Sequence, residues 1–520
     1  MDDYGILSIA PPVLTVFVAM YSRNVIVALI VGIVFGSLII TGFNPFYAVL
    51  DSIENQVLSE IASGTQVQVI LAMLIIGGFV KMLDVSGGAR AFARHMTKVV
   101  STRARAQLLA WMTGLGIFFT DSGNSLIVGP LYRSVFREFN LCKEKLAYIL
   151  DTTSSPISIL IPFIGWGAYI MSLIDKSYGE VGLTENAFEV LIKVIPYQFY
   201  AFLALTSVPI VIFMGKDFGP MLRAQQDYLS AEAAAVSVPD ELHDKEPELA
   251  DEPPETEDRL ITFVLPLFVM LSLVIGLISY HAANDGVTGV HIRSTLAIGY
   301  LSASLACAVL MHRFNGVSFN KSLHTFIEGA ETMVYVSIVL VLAWSLSSIT
   351  KDLHTAEYIS ALISDSVSPK YFPAIVFLLG AGISLSTGSS YGTFAILMAI
   401  AVPVGFELDA SMYLTIAGVL SGGLLGDHIS PISDTTVLAS VGADCEHISH
   451  VTTQSVYAGV TGSVTFLAFI MAGIYETPLV LFVAIAILII SFSLVMKFFG
   501  TDAHAVGTLE QDASATSPVH

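Results

Sequence analysis

GDHISPISDTT (residues 426–436) and DTTSSPIS (151–158) set carboxylates, hydroxyls and a proline inside sequence that is otherwise apolar. The tetrapeptide Ser155-Pro156-Ile157-Ser158 recurs as Ser430-Pro431-Ile432-Ser433, and each copy follows an aspartate, Asp151 or Asp427, by three or four residues. Upstream of each lies a second polar interruption, TDSGNS (120–125) in the first half and STGSSYGT (386–393) in the second. Paired interruptions at corresponding positions of two halves are the best sequence pointer to a transporter's binding site. The pattern predicts a secondary active transporter that opens to either side in turn.

Composition places the chain in lipid. Of its 520 residues 54% are hydrophobic and 13% charged, with a mean hydropathy of +0.75; a soluble protein carries about 25% charged residues. Cys142, Cys307 and Cys445 are too few and scattered for a disulfide framework or a cysteine zinc site. No cofactor, nucleic-acid partner or enzymatic activity is expected. The start, MDDYGILSIAPP, is acidic where a secretory signal would be basic, so the first span is expected to be retained.

Apolar runs of about 20 residues, the length a spanning helix needs, fall at 6–21, 24–43, 65–84, 146–173, 192–215, 259–280, 294–312, 331–350, 411–441, 454–474 and 477–499. The runs 106–138 and 371–406 are each two apolar arms around a Gly/Ser tip and read as re-entrant hairpins. Arg103 and Arg105 precede the first, and Arg133, Arg137, Lys143 and Lys145 follow it, so both its ends belong on the cytoplasmic side. The second, flanked by Asp365, Glu407 and Asp409, enters from outside. With the N-terminus outside, eighteen Lys and Arg fall inside and five (Lys176, Lys193, Lys351, Lys370, Arg293) outside; the reverse orientation inverts that bias.

The expected fold class is an all-α polytopic membrane protein of about eleven spans. It is an inverted repeat of five spans plus one re-entrant hairpin per half, with one extra C-terminal span. The first repeat is 1–215, the second, inverted one 259–475, and the extra span 476–500. Segment 216–258 is an acidic linker, cytoplasmic like the tail 501–520. Thirteen acidic and four basic residues between 216 and 259, with no apolar stripe, predict a disordered spacer.

Irregular backbone at membrane depth persists only when buried in protein or lining a wet cavity. An ionised side chain at the bilayer centre costs about 2.5–3.5 kcal/mol, so Asp121, Asp151, Asp427 and Asp434 together would cost roughly 10 kcal/mol. Asn124, Thr152, Ser155, Ser158, Thr387, Ser389, Ser430, Ser433 and Thr435 add neutral oxygens, and hard cations take oxygen ligands. Half-helix ends at Pro156 and Pro431 offer carbonyls. Any one of these hydroxyls is more often an interhelical hydrogen bond, and a lone aspartate can be a structural partner of Lys or Arg. No Lys or Arg lies in the four breaks. The set describes a small monovalent-cation site whose carboxylates hold a proton or a metal ion but seldom both. His428 titrates in the right range to tune it.

Other constellations read more plainly. Asp444-Cys445-Glu446-His447…His450 has a metal-like spacing but is expected to be a solvated cytoplasmic loop, and Asp84 beside Lys81 an interfacial pair. Ser430, His428 and Asp434 could be drawn as a hydrolase triad, but no Gly-x-Ser-x-Gly elbow accompanies them.

GDHISPISDTT, DTTSSPIS, MLDVSGGARAF (82–92) and LAWSLSSITKDLHTAEYISAL (342–362) resemble the NhaC-type sodium/proton antiporters, members of the ion-transporter superfamily. The resemblance covers nearly all of the membrane part. It implies a homodimer in the bacterial inner membrane exchanging Na+ for H+, with Na+ held at the residues named above. The linker lies outside the shared pattern, and residues 386–393 carry no carboxylate. Relatives of this family also include carriers of organic acids (malate, lactate) and of amino acids, so a Na+- or H+-coupled carrier of that kind is the alternative.

Overall fold

Proline and glycine decide where the helices stop. The computed structural model describes residues 4–236, 259–284, 286–364 and 366–502, and within them the chain is helical without a β-strand. Eight helices are long and apolar enough to cross a bilayer, or ten if each of two bent pairs counts as one crossing. One of the ten, Ser390–Glu407, is a hairpin arm. The two motif-bearing segments are too broken to be counted among them. Leaving out the arm and adding those two broken crossings restores the expected eleven.

The breaks fall where the motifs predict. The first crossing runs Lys143–Thr152, makes one turn at Ser155–Ser158 around Pro156, and resumes at Gly165–Glu180. The second runs Met412–His428, opens at Ser430-Pro431-Ile432, and resumes at Asp434–Ala443 with Ser433 as its N-cap. A proline lacks the N–H that a continuing helix needs. The hairpins are Arg103–Gly116 with Asp121–Glu138, and Phe372–Thr387 with Ser390–Glu407. Thr120 and Ser389 cap their second arms, and Gly388 takes φ 64° at the tip, a backbone that glycine adopts freely. The same order recurs in both halves: a long helix (Gly64–Val85; Val334–Asp352), a short one (Gly88–Thr97; Thr355–Ile363), the hairpin, the broken crossing, and a closing helix.

Packing ties the halves crosswise. The second arm of the first hairpin lies so close to Asp434–Ala443 that a Cβ on Gly129 would stand 2.3 Å from the Gly442 carbonyl oxygen. Correspondingly, the second hairpin's second arm meets Gly165–Glu180: Tyr169 donates to the Tyr391 carbonyl at 2.6 Å, and the Trp166 and Tyr391 rings lie 4.5 Å apart. Within the second half, Gly418, Gly422 and Gly426 recur every fourth residue along one face. A Cβ at each would meet a carbonyl of Phe372–Thr387 at 2.6 Å or less. Small residues at this spacing let helix backbones touch in a membrane, where the hydrophobic effect does not drive association.

Two expectations change here. The span at 24–43 is the helix Val25–Ile40, and the chain then turns by 120° into Pro45–Ile61, a fold-back that hydropathy did not indicate. The linker 216–258 does not begin as a disordered spacer: Gly219–Val236 is a helix packed on the membrane part, and 237–258 lie outside the described residues. Met221, with Phe218 just before the helix, is buried in the core, and Ala224 and Tyr228 pack against it, an apolar stripe at helical spacing that the sequence reading overlooked among the acidic residues; polar anchors join it. Buried Gln225 accepts from Cys142 N at 3.1 Å and donates to the Asn140 carbonyl at 2.9 Å. Asp217 pairs with Lys145 at 2.6 Å and forms an antiparallel bridge to Thr501, placing the ends of linker and tail together.

Adding a methyl group at Gly422 forces apart a backbone contact, so Gly422→Ala should lower stability by about 1–3 kcal/mol. Gly459→Ala, with open space around its Cα, should be neutral or gain up to about 1 kcal/mol. Thermal unfolding of detergent-solubilised protein, followed by size exclusion, compares the two. The same assay should show Gln225→Ala losing about 1–3 kcal/mol, because buried Cys142 N and Asn140 O lose their partners.

Candidate cation and proton site

The two breaks bring Asp151 and Asp427 to one place. Each sits in the last turn before its break, where a helix terminates inside the protein and its final carbonyls need partners. Both are buried, and no Lys or Arg pairs with either among the described residues. Hydroxyls from the helix after the second break join them. Thr436 Oγ1 donates to Asp151 Oδ2 at 3.0 Å and lies 3.4 Å from the Asp427 carbonyl oxygen, while Thr435 Oγ1 donates to Asp427 Oδ2 at 3.2 Å. Ser433 Oγ stands 3.1 Å from Thr435 Oγ1.

His428 is held on both sides. Nδ1 is 2.7 Å from Tyr200 Oη and Nε2 is 3.3 Å from Thr152 Oγ1, with Asp151 Oδ2 at 3.9 Å. Its carbonyl and Asp151 Oδ2 both accept from Gln454 Nε2, at 2.5 Å each. One amide thus clamps the first half's carboxylate to the second half's break.

The remaining sequence candidates divide. Asn124 Nδ2 donates to the Gly114 and Thr153 carbonyls at 2.9 and 2.6 Å, bracing the first hairpin against the first break. Its Oδ1, with Ser155 Oγ and Ser125 Oγ, is buried without a hydrogen bond, leaving neutral oxygens around that break. Ser158 and Ser430 tie each break to its own hairpin, donating to Phe118 O at 3.3 Å and Leu385 O at 2.8 Å. Thr387 and Ser389 serve their own helices. Asp121, at the first hairpin's tip, accepts from Trp166 Nε1 at 3.1 Å and is half-buried.

Asp434 is not brought into the cluster. It is exposed, one residue after the Ser433 cap, and the helix turns Thr435 and Thr436 inward instead. Ser430 donates to the Leu385 carbonyl while His428 is held by Tyr200 and Thr152, so the drawn triad does not assemble. Tyr200, Thr436 and Gln454 were missed. Thr436 lies inside the quoted motif, whereas Tyr200 and Gln454 sit on ordinary spans and carry no local signal beyond being polar in lipid.

Polar locks lie at both ends of the first broken crossing. Lys145 meets Asp217 near one end; near the other, Lys176 Nζ meets Glu60 Oε1 at 2.6 Å and Ser348 Oγ at 2.7 Å, and Ser347 donates to Glu180. The second lock spans the two halves. The carboxylate and hydroxyl oxygens between the locks form a donor set suited to a hard cation, and two buried carboxylates so linked need a proton or a cation to share a low-dielectric site.

Residues 159–474 match the Na+/H+ antiporter family. An uncharacterized protein of Haemophilus influenzae is 30% identical over 503 residues, 94% of each chain. The Na+/H+ antiporter NhaC of Alkalihalophilus pseudofirmus is 26% identical over 176 residues, 33% of this chain and 37% of that one. Among solved structures, the YdaH transporter of Alcanivorax borkumensis superposes with a TM-score of 0.57 at 13% identity, covering 84% of this chain and 90% of the other, a likeness of fold. A multi-pass membrane protein with two broken crossings and a buried carboxylate pair, this chain belongs to the Na+/H+ antiporter family.

Proposed function

We propose that the protein exchanges Na+ for H+ across a bacterial inner membrane, with its N-terminus outside and its linker and tail cytoplasmic. The observation that carries this reading is the meeting of Asp151 and Asp427 through Thr435 and Thr436, with no Lys or Arg paired to them among the described residues. A permanent cationic partner would occupy the carboxylates and leave nothing to exchange. Without one, proton and sodium compete for the same oxygens, and a protein that opens to each side in turn converts that competition into exchange. Thr435, Ser433 and Thr152 supply neutral oxygens, and His428, held by Tyr200, fixes the geometry. Asp121 and the unpartnered oxygens of Asn124 and Ser155 line the first hairpin's approach. Release toward either side requires one lock to open, Lys145–Asp217 or Lys176–Glu60.

Purified protein in proteoliposomes with a trapped pH dye tests this. Asp427→Asn and Asp151→Asn keep side-chain shape but remove the exchangeable proton, and both should abolish sodium-driven proton movement while folding normally. Thr435→Val should weaken sodium about tenfold, the worth of one lost oxygen contact of about 1.4 kcal/mol. Asp434→Asn should exchange like the parent. Sodium-driven proton movement that needs an added organic acid or amino acid would favour the coupled-carrier alternative. Native exchange by Asp427→Asn would end the shared-carboxylate mechanism.

Orientation is tested separately. In a cysteine-free background, single cysteines at the exposed positions Lys216 and Asp502 should resist an impermeant thiol reagent added outside intact cells and react in inverted vesicles. Labelling of either from outside reverses the proposed topology.

A further inference from the structure

Trp166 stands between the two hairpin tips and touches both. It lies in the first turn of Gly165–Glu180, where the first crossing resumes, and is 5% exposed. Its Nε1–H donates to Asp121 Oδ2 on the first tip at 3.1 Å. Its ring centre lies 4.5 Å from that of Tyr391 and 6.0 Å from that of Phe394, both in the second hairpin's second arm.

The surrounding chain fixes this position. A Cβ on Gly167 would stand 2.1 Å from the Pro162 carbonyl oxygen, so the turn entering the helix is closed onto itself. Tyr300 Oη donates to the Phe163 carbonyl at 2.6 Å and pins that turn to a span of the second half. Tyr391 is held as firmly. Tyr169, about one turn beyond Trp166, donates to the Tyr391 carbonyl at 2.6 Å and meets its ring edge-on at 4.9 Å. A displacement of either tip is therefore felt by the indole.

The hydrogen bonds at Asp121 leave one definite opening. Ser122 N–H and Oγ–H both donate to Oδ1, at 2.7 and 3.2 Å. The Asp121 carbonyl accepts from Ser154 Oγ at 2.7 Å, which ties the tip to the first break. A carboxylate offers about four acceptor positions. Ser122 fills both on Oδ1 and Trp166 one on Oδ2, so the position left is the one beside the indole. All these donors are neutral, so the negative charge is oriented but not neutralised. A packing role would not need this arrangement. A buried indole N–H requires only an acceptor, and Trp111 satisfies its own with the Leu205 carbonyl at 3.1 Å. Directing the Trp166 N–H to a carboxylate aims a charge instead.

We propose that Trp166 is a positioning residue for the transported cation. Its N–H turns the open acceptor position of Asp121 toward an ion arriving between the tips, and its ring carries the response to Tyr391 and the second hairpin. An ion on Asp121 Oδ2 draws electron density from the carboxylate and weakens the indole hydrogen bond, so both tips register one event. The assignment deepens the exchange reading and rests on it for the identity of the ion, sodium.

Protein containing 5-fluorotryptophan has three indole signals in its 19F spectrum, from Trp111, Trp166 and Trp344, and the one absent from Trp166→Phe belongs to Trp166. Titration of detergent-solubilised protein with sodium chloride, against choline chloride at equal ionic strength, should move the Trp166 signal and leave the other two in place. In Asp121→Asn the Trp166 signal should stay still. In proteoliposomes Trp166→Phe, which keeps a ring and loses the N–H, should raise the sodium KM about tenfold with kcat within about twofold of the parent. Trp166→Ala, which loses the ring as well, should also lower kcat. A Trp166 signal that ignores sodium, or that moves equally in Asp121→Asn, overturns the positioning role. So does a native KM in Trp166→Phe, or a fall in its kcat alone. An unchanged kcat in Trp166→Ala overturns the link between the tips. Should Trp166→Phe not fold, Trp111→Phe and Trp344→Phe assign the signals by elimination and the titration still decides. A parent that exchanges no sodium for protons would sink the proposed function, while the sodium titration of the Trp166 signal would still decide the role of the indole.

Discussion

Two helices end in the middle of the protein, and the rest of the structure exists to satisfy what those ends leave open. A helix interrupted at membrane depth exposes carbonyls and N–H groups that lipid cannot bond, so each must find protein, cation or enclosed water. Here the partners are local and paired. Asn124 and Ser158 join the first break to its hairpin, and Ser430 joins the second to its own. The hairpins are therefore the structural complement of the breaks, which explains why each half carries one of both.

Close packing makes this geometry rigid. The row Gly418, Gly422, Gly426 brings a whole helix face to within backbone contact of the second hairpin, and Gly129 and Gly442 do the same across the halves. Side chains of ordinary size at these positions would hold the helices too far apart for a serine hydroxyl to reach across. Glycine thus sets the distances at which the polar contacts form, and those contacts place Asp151 and Asp427 together.

Between the central site and solvent the polar contacts change character. At the crossing they are carboxylate to hydroxyl and amide, with no fixed positive charge; toward the ends they are ion pairs, Lys145 with Asp217 and Lys176 with Glu60. Both pairs are largely buried, so breaking either one leaves charges that must be rehydrated, and an unpaired buried charge is expensive.

The sequence by itself determined the membrane class, the two hairpins, the breaks at Pro156 and Pro431 and the two acids that cluster beside them, because each depends on local chemistry: apolar length, a missing proline N–H, a capping hydroxyl. It also carried the family resemblance. It misjudged Asp434, since a helix beginning at a cap turns successive residues by about 100° and only packing says which of them faces inward. It misread 216–236, where Phe218, Met221, Ala224 and Tyr228 pack on the core at helical spacing amid acidic residues, and His450, which is buried against Ser440 and Gln454. Gln454 and Tyr200 were invisible because their partners Asp151 and His428 lie far along the chain and leave no periodic trace. Which acids meet, and what holds them, was settled only by the tertiary structure, because that contact joins positions nearly three hundred residues apart through glycine-set distances that no stretch of sequence displays.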